Sequence, residues 1–285
     1  MARFNIFLLM LLLAIGILYY WFLVDNSAPD ARPHPVSIAQ LRSLATAPGE
    51  AAPVRIRFER IASQWQMGNR VAAGRGLRAL RLHTLSYMIE YAGKPPVLIG
   101  AGLTKADAAR FEHETFAVRA QARVVRAVAR ASALVPLSPA PEQLGGLRMI
   151  AGTDQAQRLE MQIAKMEEAE RISVPHRVAP GLVAIPTPQV HPGSRMVYAR
   201  LADGREYLFA GKIAPTRRNW RGPRLPARFV TDLGHREDRQ AMLSWLLTIQ
   251  ALKREAPALV VVPGATIPKR SGLQQYFDDS ALIQS

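Results

Sequence analysis

Side chains able to hold a metal or move a proton are sparse in this chain. It has no cysteine, which excludes a disulfide and a thiolate metal site, and only six histidines. His34, His83, His113, His176, His191 and His235 show neither H-x-H nor H-x-x-x-H spacing. A zinc or iron centre needs three or more imidazole or carboxylate ligands converging at roughly 2 Å. No such cluster is visible. Ser138, Glu142 and Gln143 offer a hydroxyl, a carboxylate and an amide just ahead of Gly145 and Gly146, and His191 lies in a second loop rich in proline and glycine. Ser138 as nucleophile with Lys212 as base is one arrangement these residues allow, but neither a nucleophile elbow nor an oxyanion hole accompanies them. Glu142 and His191 would make a poor metal site, being two ligands from separate loops, so His191 reads as a loop histidine with a solvent or backbone partner.

Four segments nevertheless share an order and a spacing. They are Leu137–Leu147, Pro186–Ser194, Phe209–Lys212 and Val261–Ala265. Together they resemble the metallo-β-lactamase superfamily, whose hydrolases read T-H-x-H-x-D-H-x-G-G-L, P-x-P-G-H-T-P-G-S, hydrophobic-G-D and V-V-P-G-H in that sequence. Alignment on the glycines, which tight backbone requires, places Ser138, Ala140, Glu142 and Gln143 where the family has His, His, Asp and His. Val190 falls at the next ligand position, with His191 one place too late. Lys212 takes the place of the bridging aspartate and Ala265 that of the last histidine. Upstream, Val97–Gly102 looks like the apolar strand that ends in D-T-G, again without the acid.

The resemblance runs from about residue 55 to about residue 270. It implies an α/β fold, the αββα sandwich of two similar halves, with all seven metal-ligand positions changed. Serine, alanine, valine, glutamine and a lysine ammonium cannot lower the pKa of a bound water as a metal centre does. The expectation is therefore a pseudoenzyme without a metal cofactor, kept for binding or assembly. The alternative is a hydrolase of an ester, lactone or amide that acts without metal, or with zinc in a relocated site. Glu142 and Lys212 occupy positions that converge in the family, so the two are expected to form a salt bridge in the vacated centre.

The elements that must position these residues are legible in outline. Val54–Ile61 alternates apolar and charged residues, as a strand with one wet face does. Leu85–Tyr91 and Pro96–Ile99 flank a turn, and Leu134–Leu137 feeds the first motif. Thr104 and Asp107 suit a capping box that opens a helix. Thr153–Ile172 and Arg236–Lys253 are helical, the latter with Met242, Leu243, Leu246, Leu247 and Ile249 inward. Leu182–Ile185, Met196–Leu201, Tyr207–Ala210 and Leu259–Val262 are short strands, with a turn at Asp203 and Gly204.

Phe4–Val24 is apolar except for Asn5, and at about 1.5 Å per residue it spans a hydrocarbon core of about 30 Å. It reads as an uncleaved anchor, because proline follows the one plausible cleavage-site alanine, Ala28. Arg3 before it and Asp25 and Asp30 after it favour a cytoplasmic N-terminus, which would put the domain in the periplasm or outside the cell. Asn26–Pro35 reads as a linker. The resulting division is an anchor at 4–24, a linker and lead-in at 25–50, and one domain at 51–285. Apolar content of 49% is that of a globular protein.

The formal net charge is +15. Arg119, Arg123, Arg126 and Arg130 form one stripe of a helix whose other face would carry Val118, Ala122, Val125 and Ala129. Arg217, Arg218, Arg221, Arg224 and Arg228 form a second cluster, in a segment broken by Pro223 and Pro226. The partners that such charge suits are anionic phospholipid beside the anchor or an acidic protein or ligand. Nucleic acid is not expected, since aromatic residues are not interleaved with the basic ones.

Overall fold

The structure, a computed structural model, describes residues 2–46, 49–233, 238–267 and 271–277. The longest strands come from the alternating segments. β1 (Arg55–Met67) pairs antiparallel with β2 (Ala79–Tyr91), and β2 with β3 (Lys94–Ile99). The β1–β2 register shifts between Arg60 and Ala62, and this irregularity leaves both Ile61 and Ala62 buried, which ends the simple alternation. β4 (Thr115–Phe116) pairs with β1, and β5 (Ala133–Val135) lies parallel to β3.

The second sheet contains β6 (His176–Ala179), β7 (Leu182–Pro186), β8 (Arg195–Arg200), β9 (Glu206–Phe209) and β10 (Val260–Val262), in the order β10-β9-β8-β7-β6. The first has the order β11-β1-β2-β3-β5, closed at one edge by β11 (Gln274–Gln275). In each sheet an antiparallel meander ends in a strand whose next partner is parallel, β5 on β3 and β10 on β9. A parallel pair requires a crossover, and helices supply both. The two halves are therefore built alike, as the resemblance implies.

The helices are α1 (Ala2–Tyr19), α2 (Ile38–Ala45), α3 (Gly68–Val71), α4 (Lys105–Arg110), α5 (Val118–Val128), α6 (Pro141–Met149), α7 (Asp154–Ala169), α8 (Arg217–Arg221), α9 (Arg228–Thr231) and α10 (Arg239–Glu255). The core has three layers. Between the sheets, Ile89, Val97, Val197 and Ala199 pack with Tyr87 and Phe209, whose rings meet edge-on at 4.7 Å. On one outer face Val124, Val128, Leu147 and Leu159 cover Leu98 and Leu134. On the other, Trp245, Leu246 and Ile249 of α10 join Leu41 of α2 over Tyr198 and Leu208. This is the αββα sandwich.

Several sequence expectations need correction. α5 buries Ala120, Gln121, Val124, Ala127 and Val128, whereas Val118, assigned to the inner face, is 62% exposed. The helix is turned so that Arg123 reaches Glu59, which is itself buried. Asn26–Pro35 is not a free linker. Asn26 Nδ2 donates to the Pro223 carbonyl at 2.6 Å, His34 N donates to Thr248 Oγ1 at 2.8 Å, and the His34 ring stacks on Trp245. With α2 in the core, the folded unit begins well ahead of residue 51. α10 starts at Arg239 behind the Asp238 cap; Arg236, where the helix was expected to begin, and His235 lie outside the described residues. The capping box at Thr104 and Asp107 is present.

α1 runs on through a π-helical turn, Tyr20–Val24. Arg3–Val24 is long and apolar enough to cross a membrane by length and composition; its residues are exposed through Trp21, and Phe22–Val24 are half-buried.

Candidate functional site

Four loops meet at one edge of the sandwich, each leaving the carboxyl end of a strand. Close backbone approach brings them together. In α6 the amides of Gly145 and Gly146 donate to the carbonyls of Gly102 and Ala101 at 2.7 Å each, and a Cβ on Gly145 would fall 2.3 Å from Leu103 Cα. Only glycine fits there. The loops after β9 and β10 touch in the same manner, since a Cβ on Gly264 would lie 2.1 Å from the Gly211 carbonyl oxygen. Gly264 N and Ala265 N donate to the carbonyls of Ala214 and Pro215, both at 3.0 Å. Gly145, Gly146, Gly211 and Gly264 are thus points where backbones cross, while Gly193 sits at positive φ in a turn.

Between these loops lies a cavity of about 200 Å³. Six of the seven aligned positions line it: Ser138, Ala140, Glu142, Gln143, Lys212 and Ala265. Val190 does not; it packs against the apolar layer under α10. Its loop is closed by Ser194, whose hydroxyl donates to the His191 and Thr187 carbonyls at 2.7 and 2.9 Å. The His191 ring is exposed beside the Pro192 carbonyl, the backbone partner expected of a loop histidine.

The side chains at the aligned positions have other tasks. Gln143 Oε1 accepts from Leu137 N at 3.1 Å, so its amide holds the loop that carries Ser138. Lys212 is exposed and Glu142 half-buried. Both border the cavity, yet no N–O contact within 4.0 Å joins them, and the expected salt bridge is not made. An exposed ammonium stays hydrated and needs no buried partner.

Four further polar residues line the cavity that spacing did not reveal, among them Gln64 of β1. His83 and Thr84 belong to the first half of β2, ahead of the apolar run that marked this strand in the sequence, and His113 precedes β4. His83 N donates to the Ala265 carbonyl at 2.9 Å, fixing β2 to the loop after β10. His113 Nε2 lies 3.3 Å from Thr84 Oγ1. Burial holds both imidazoles below the usual histidine range; for His83 the Arg60 and Arg81 guanidiniums add to the effect, and for His113 the Glu142 carboxylate opposes it. Both shifts favour the uncharged ring.

Among the described residues no three of His, Cys, Asp and Glu come together as a metal would require. His83, His113 and Glu142 are the imidazoles and carboxylate of the cavity, and Lys212 adds a cation to its wall.

The second arginine cluster divides in three. Arg217, Arg218 and Arg221 line a groove of about 580 Å³ together with Arg75 and Arg81. Arg224 lines a smaller cavity of about 230 Å³ beside Arg70 and Lys212. Arg228 is already neutralised: its guanidinium sits 2.6 Å from Asp25 and 3.2 Å from Asp232, over the ring of Trp21. Of the α5 stripe, Arg123 is bound to Glu59.

No family model matches the sequence, and no curated protein matches it significantly. Solved structures do match in fold. A quorum-quenching N-acyl homoserine lactone lactonase superimposes with a TM-score of 0.59 at 13% identity, over 79% of this chain and 97% of that one. An N-acyl homoserine lactone hydrolase, solved with N-hexanoyl-L-homoserine at its catalytic metal centre, gives 0.55 at 14%, over 75% and 94%. A probable metal-dependent hydrolase from Staphylococcus aureus gives 0.51 at 12%, over 76% and 90%. With two sheets of like topology between helical layers and the motif loops gathered at one edge, this chain adopts the metallo-β-lactamase fold.

Proposed function

We propose that this chain is anchored in the inner membrane by its N-terminal helix, with the domain on the periplasmic or extracellular side, and that the fold serves binding or assembly rather than metal-dependent hydrolysis. The donor set of the cavity carries this reading. One hydrolase that shares the fold holds its product at a catalytic metal centre, whereas here the corresponding loops present Ser138, Ala140, Gln143, Lys212 and Ala265, with Glu142 as their one carboxylate. Hydroxyl, methyl and amide groups are poor ligands for zinc.

The test is elemental. Full-length protein exposed to zinc, iron or manganese and then desalted is expected to retain far less than one equivalent, and to hydrolyse β-lactams, lactones and thioesters no faster than buffer. Near-stoichiometric metal, with turnover lost on chelation and restored by zinc, would overturn the reading. Anchoring is tested separately, by the intact mass of the membrane-extracted chain and by protease accessibility of the domain in spheroplasts.

One contact supports a second reading, hydrolysis without metal. Ser138 and Lys212, the pair offered by the sequence, both line the cavity, but among the described residues no hydrogen bond joins them. Thr84 Oγ1 and His113 Nε2 stand 3.3 Å apart, with the Glu142 carboxylate acting on the imidazole. A neutral imidazole beside a hydroxyl is a base–nucleophile pair in outline. Chelator-resistant esterase activity abolished by Thr84→Val and by His113→Gln would favour this reading over the first.

A further inference from the structure

The groove lined by Arg217, Arg218 and Arg221 is held open by a buried side chain. Asn219 Oδ1 accepts from Thr216 N and Oγ1 at 3.0 and 2.7 Å, while its Nδ2 donates to the carbonyls of Val71 and Arg224 at 2.7 and 2.9 Å. This fastens α8 to the β1–β2 connection and brings its three arginines up to Arg75 and Arg81, more than a hundred residues earlier in the chain. Among the described residues no carboxylate lies within 4.0 Å of Arg75, Arg217, Arg218 or Arg221; Arg81 has Glu114 at 3.5 Å. Burial, with the Arg218 and Arg78 guanidiniums nearby, holds Arg75 below its ordinary value. The guanidiniums repel one another, and an anion between them would relieve that repulsion.

The groove also has a fixed place relative to the anchor. Gly74 N donates to the Leu23 carbonyl at 2.9 Å, so the loop bearing Arg75 is bonded to the last turn of the apolar helix. On the other side, Asn26 binds the Pro223 carbonyl and accepts from Leu225 N at 2.7 Å, just beyond α8. The chain leaving the helix is thus tied to both walls of the groove. At the same end of the β1–β2 pair, Leu77 is 70% exposed and Trp65 53% exposed, with Trp65 opposite Arg81 in the register. Exposed apolar and aromatic side chains beside arginines form the composition of a surface that sits in the headgroup layer.

We propose that this groove binds the phosphate of an anionic phospholipid headgroup in the membrane that holds Arg3–Val24. The proposal rests on that helix remaining as a span. A phosphodiester offers two oxygens that planar guanidinium forks bind in pairs, and a juxtamembrane site presents it at high local concentration.

The experiment uses the full-length chain in a nonionic detergent, titrated with phosphatidylglycerol, with phosphatidylcholine and with inorganic phosphate, and reads Tm. Phosphatidylglycerol is expected to raise Tm saturably, while phosphatidylcholine and phosphate leave it unchanged. An Arg218→Ala, Arg221→Ala variant is expected to need at least tenfold more phosphatidylglycerol for the same rise. An Arg158→Ala, Arg171→Ala variant, altered at α7 and just beyond it, is expected to respond like the parent. A response equal in both variants, or equal for the two lipids, would overturn the proposal, and an equal response to inorganic phosphate would overturn the lipid as its source. Phosphatidylglycerol retained through purification, measured by native mass spectrometry and reduced in the first variant only, is a second readout that does not depend on Tm. Intact mass reports separately whether residues 1–24 remain, so failure of the anchor and failure of the groove are told apart.

Discussion

Arg195 is among the largest fully buried side chains of the described residues, and replacing it tests whether the loop carrying Ser138 is held by charge. Its guanidinium meets both oxygens of Glu170, at 2.6 and 2.9 Å, and also donates to the Pro136 carbonyl; its own amide donates to the Leu137 carbonyl at 3.0 Å. Side-chain exposure is 0% for Arg195 and 7% for Glu170. Arg195→Met keeps the apolar volume and the backbone bond but leaves a buried carboxylate with no cation. Breaking a buried pair in this way costs about 3–5 kcal/mol. At about 2–4 °C per kcal/mol for a domain of this size, Tm should fall by roughly 6–20 °C. Thermal unfolding of the full-length protein, followed by near-ultraviolet circular dichroism at a fixed scan rate, measures it. Removing both charges, as Arg195→Met with Glu170→Leu, leaves only the Pro136 carbonyl unsatisfied and should return stability to within about 1–2 kcal/mol of the parent. A single variant within about 1 kcal/mol of the parent would refute the reasoning, since a broken buried pair cannot be that cheap. So would a double variant as unstable as the single one.

Gly145→Ala drives a methyl into the Leu103 backbone and should cost about 2–3 kcal/mol or more, whereas Gly222→Ala, with nothing within 4 Å of the new carbon, should stay within about 0.5 kcal/mol; denaturant midpoints compare them. Burial lowers the folded-state pKa of His34, His83 and His113 below the unfolded value of 6.5, so below that pH the unfolded chain binds more protons. Stability should therefore hold above pH 6.5 and decline as pH falls through it toward the depressed folded values, and His83→Gln with His113→Gln should flatten the decline in a series of Tm measurements. Asp25→Ala removes the acceptor from Arg228 at 2.6 Å, a charged hydrogen bond worth about 1.5–3 kcal/mol, and should speed proteolysis within Asn26–Pro35 with little change elsewhere.

What the sequence revealed of this protein was what local backbone geometry imposes. Gly145, Gly146, Gly193, Gly211 and Gly264 sit where chains cross or turn, so they keep a readable spacing. The apolar run to Val24, the capping box at Thr104 and, in the inward stripe of α10, Met242, Leu246 and Ile249 are likewise local and were legible, whereas Leu243 and Leu247 are only half-buried and Trp245 takes a place inward. The irregularity at Arg60 and Ala62 was not, because a register shift depends on the partner strand rather than on the strand itself. The face of α5 was misread for a similar reason: Arg123 turns inward only because Glu59, on another element, waits there.

The contents of the cavity and the groove were decided by tertiary structure alone. His83 and Thr84 stand in the half of β2 ahead of Leu85, and they share a cavity with Glu142 and Gln143 only through the packing of β2 against the motif loops. Arg75 joins Arg218 because buried Asn219 bonds to Val71, and Arg228 leaves the cluster because Asp25, at the end of the apolar helix, folds back onto it. Sequence spacing records which conformations each segment can adopt, since those costs are paid within a few residues. Which charges meet is set by the crossovers that bring distant segments to one edge, and that information appears only when the sheets are packed.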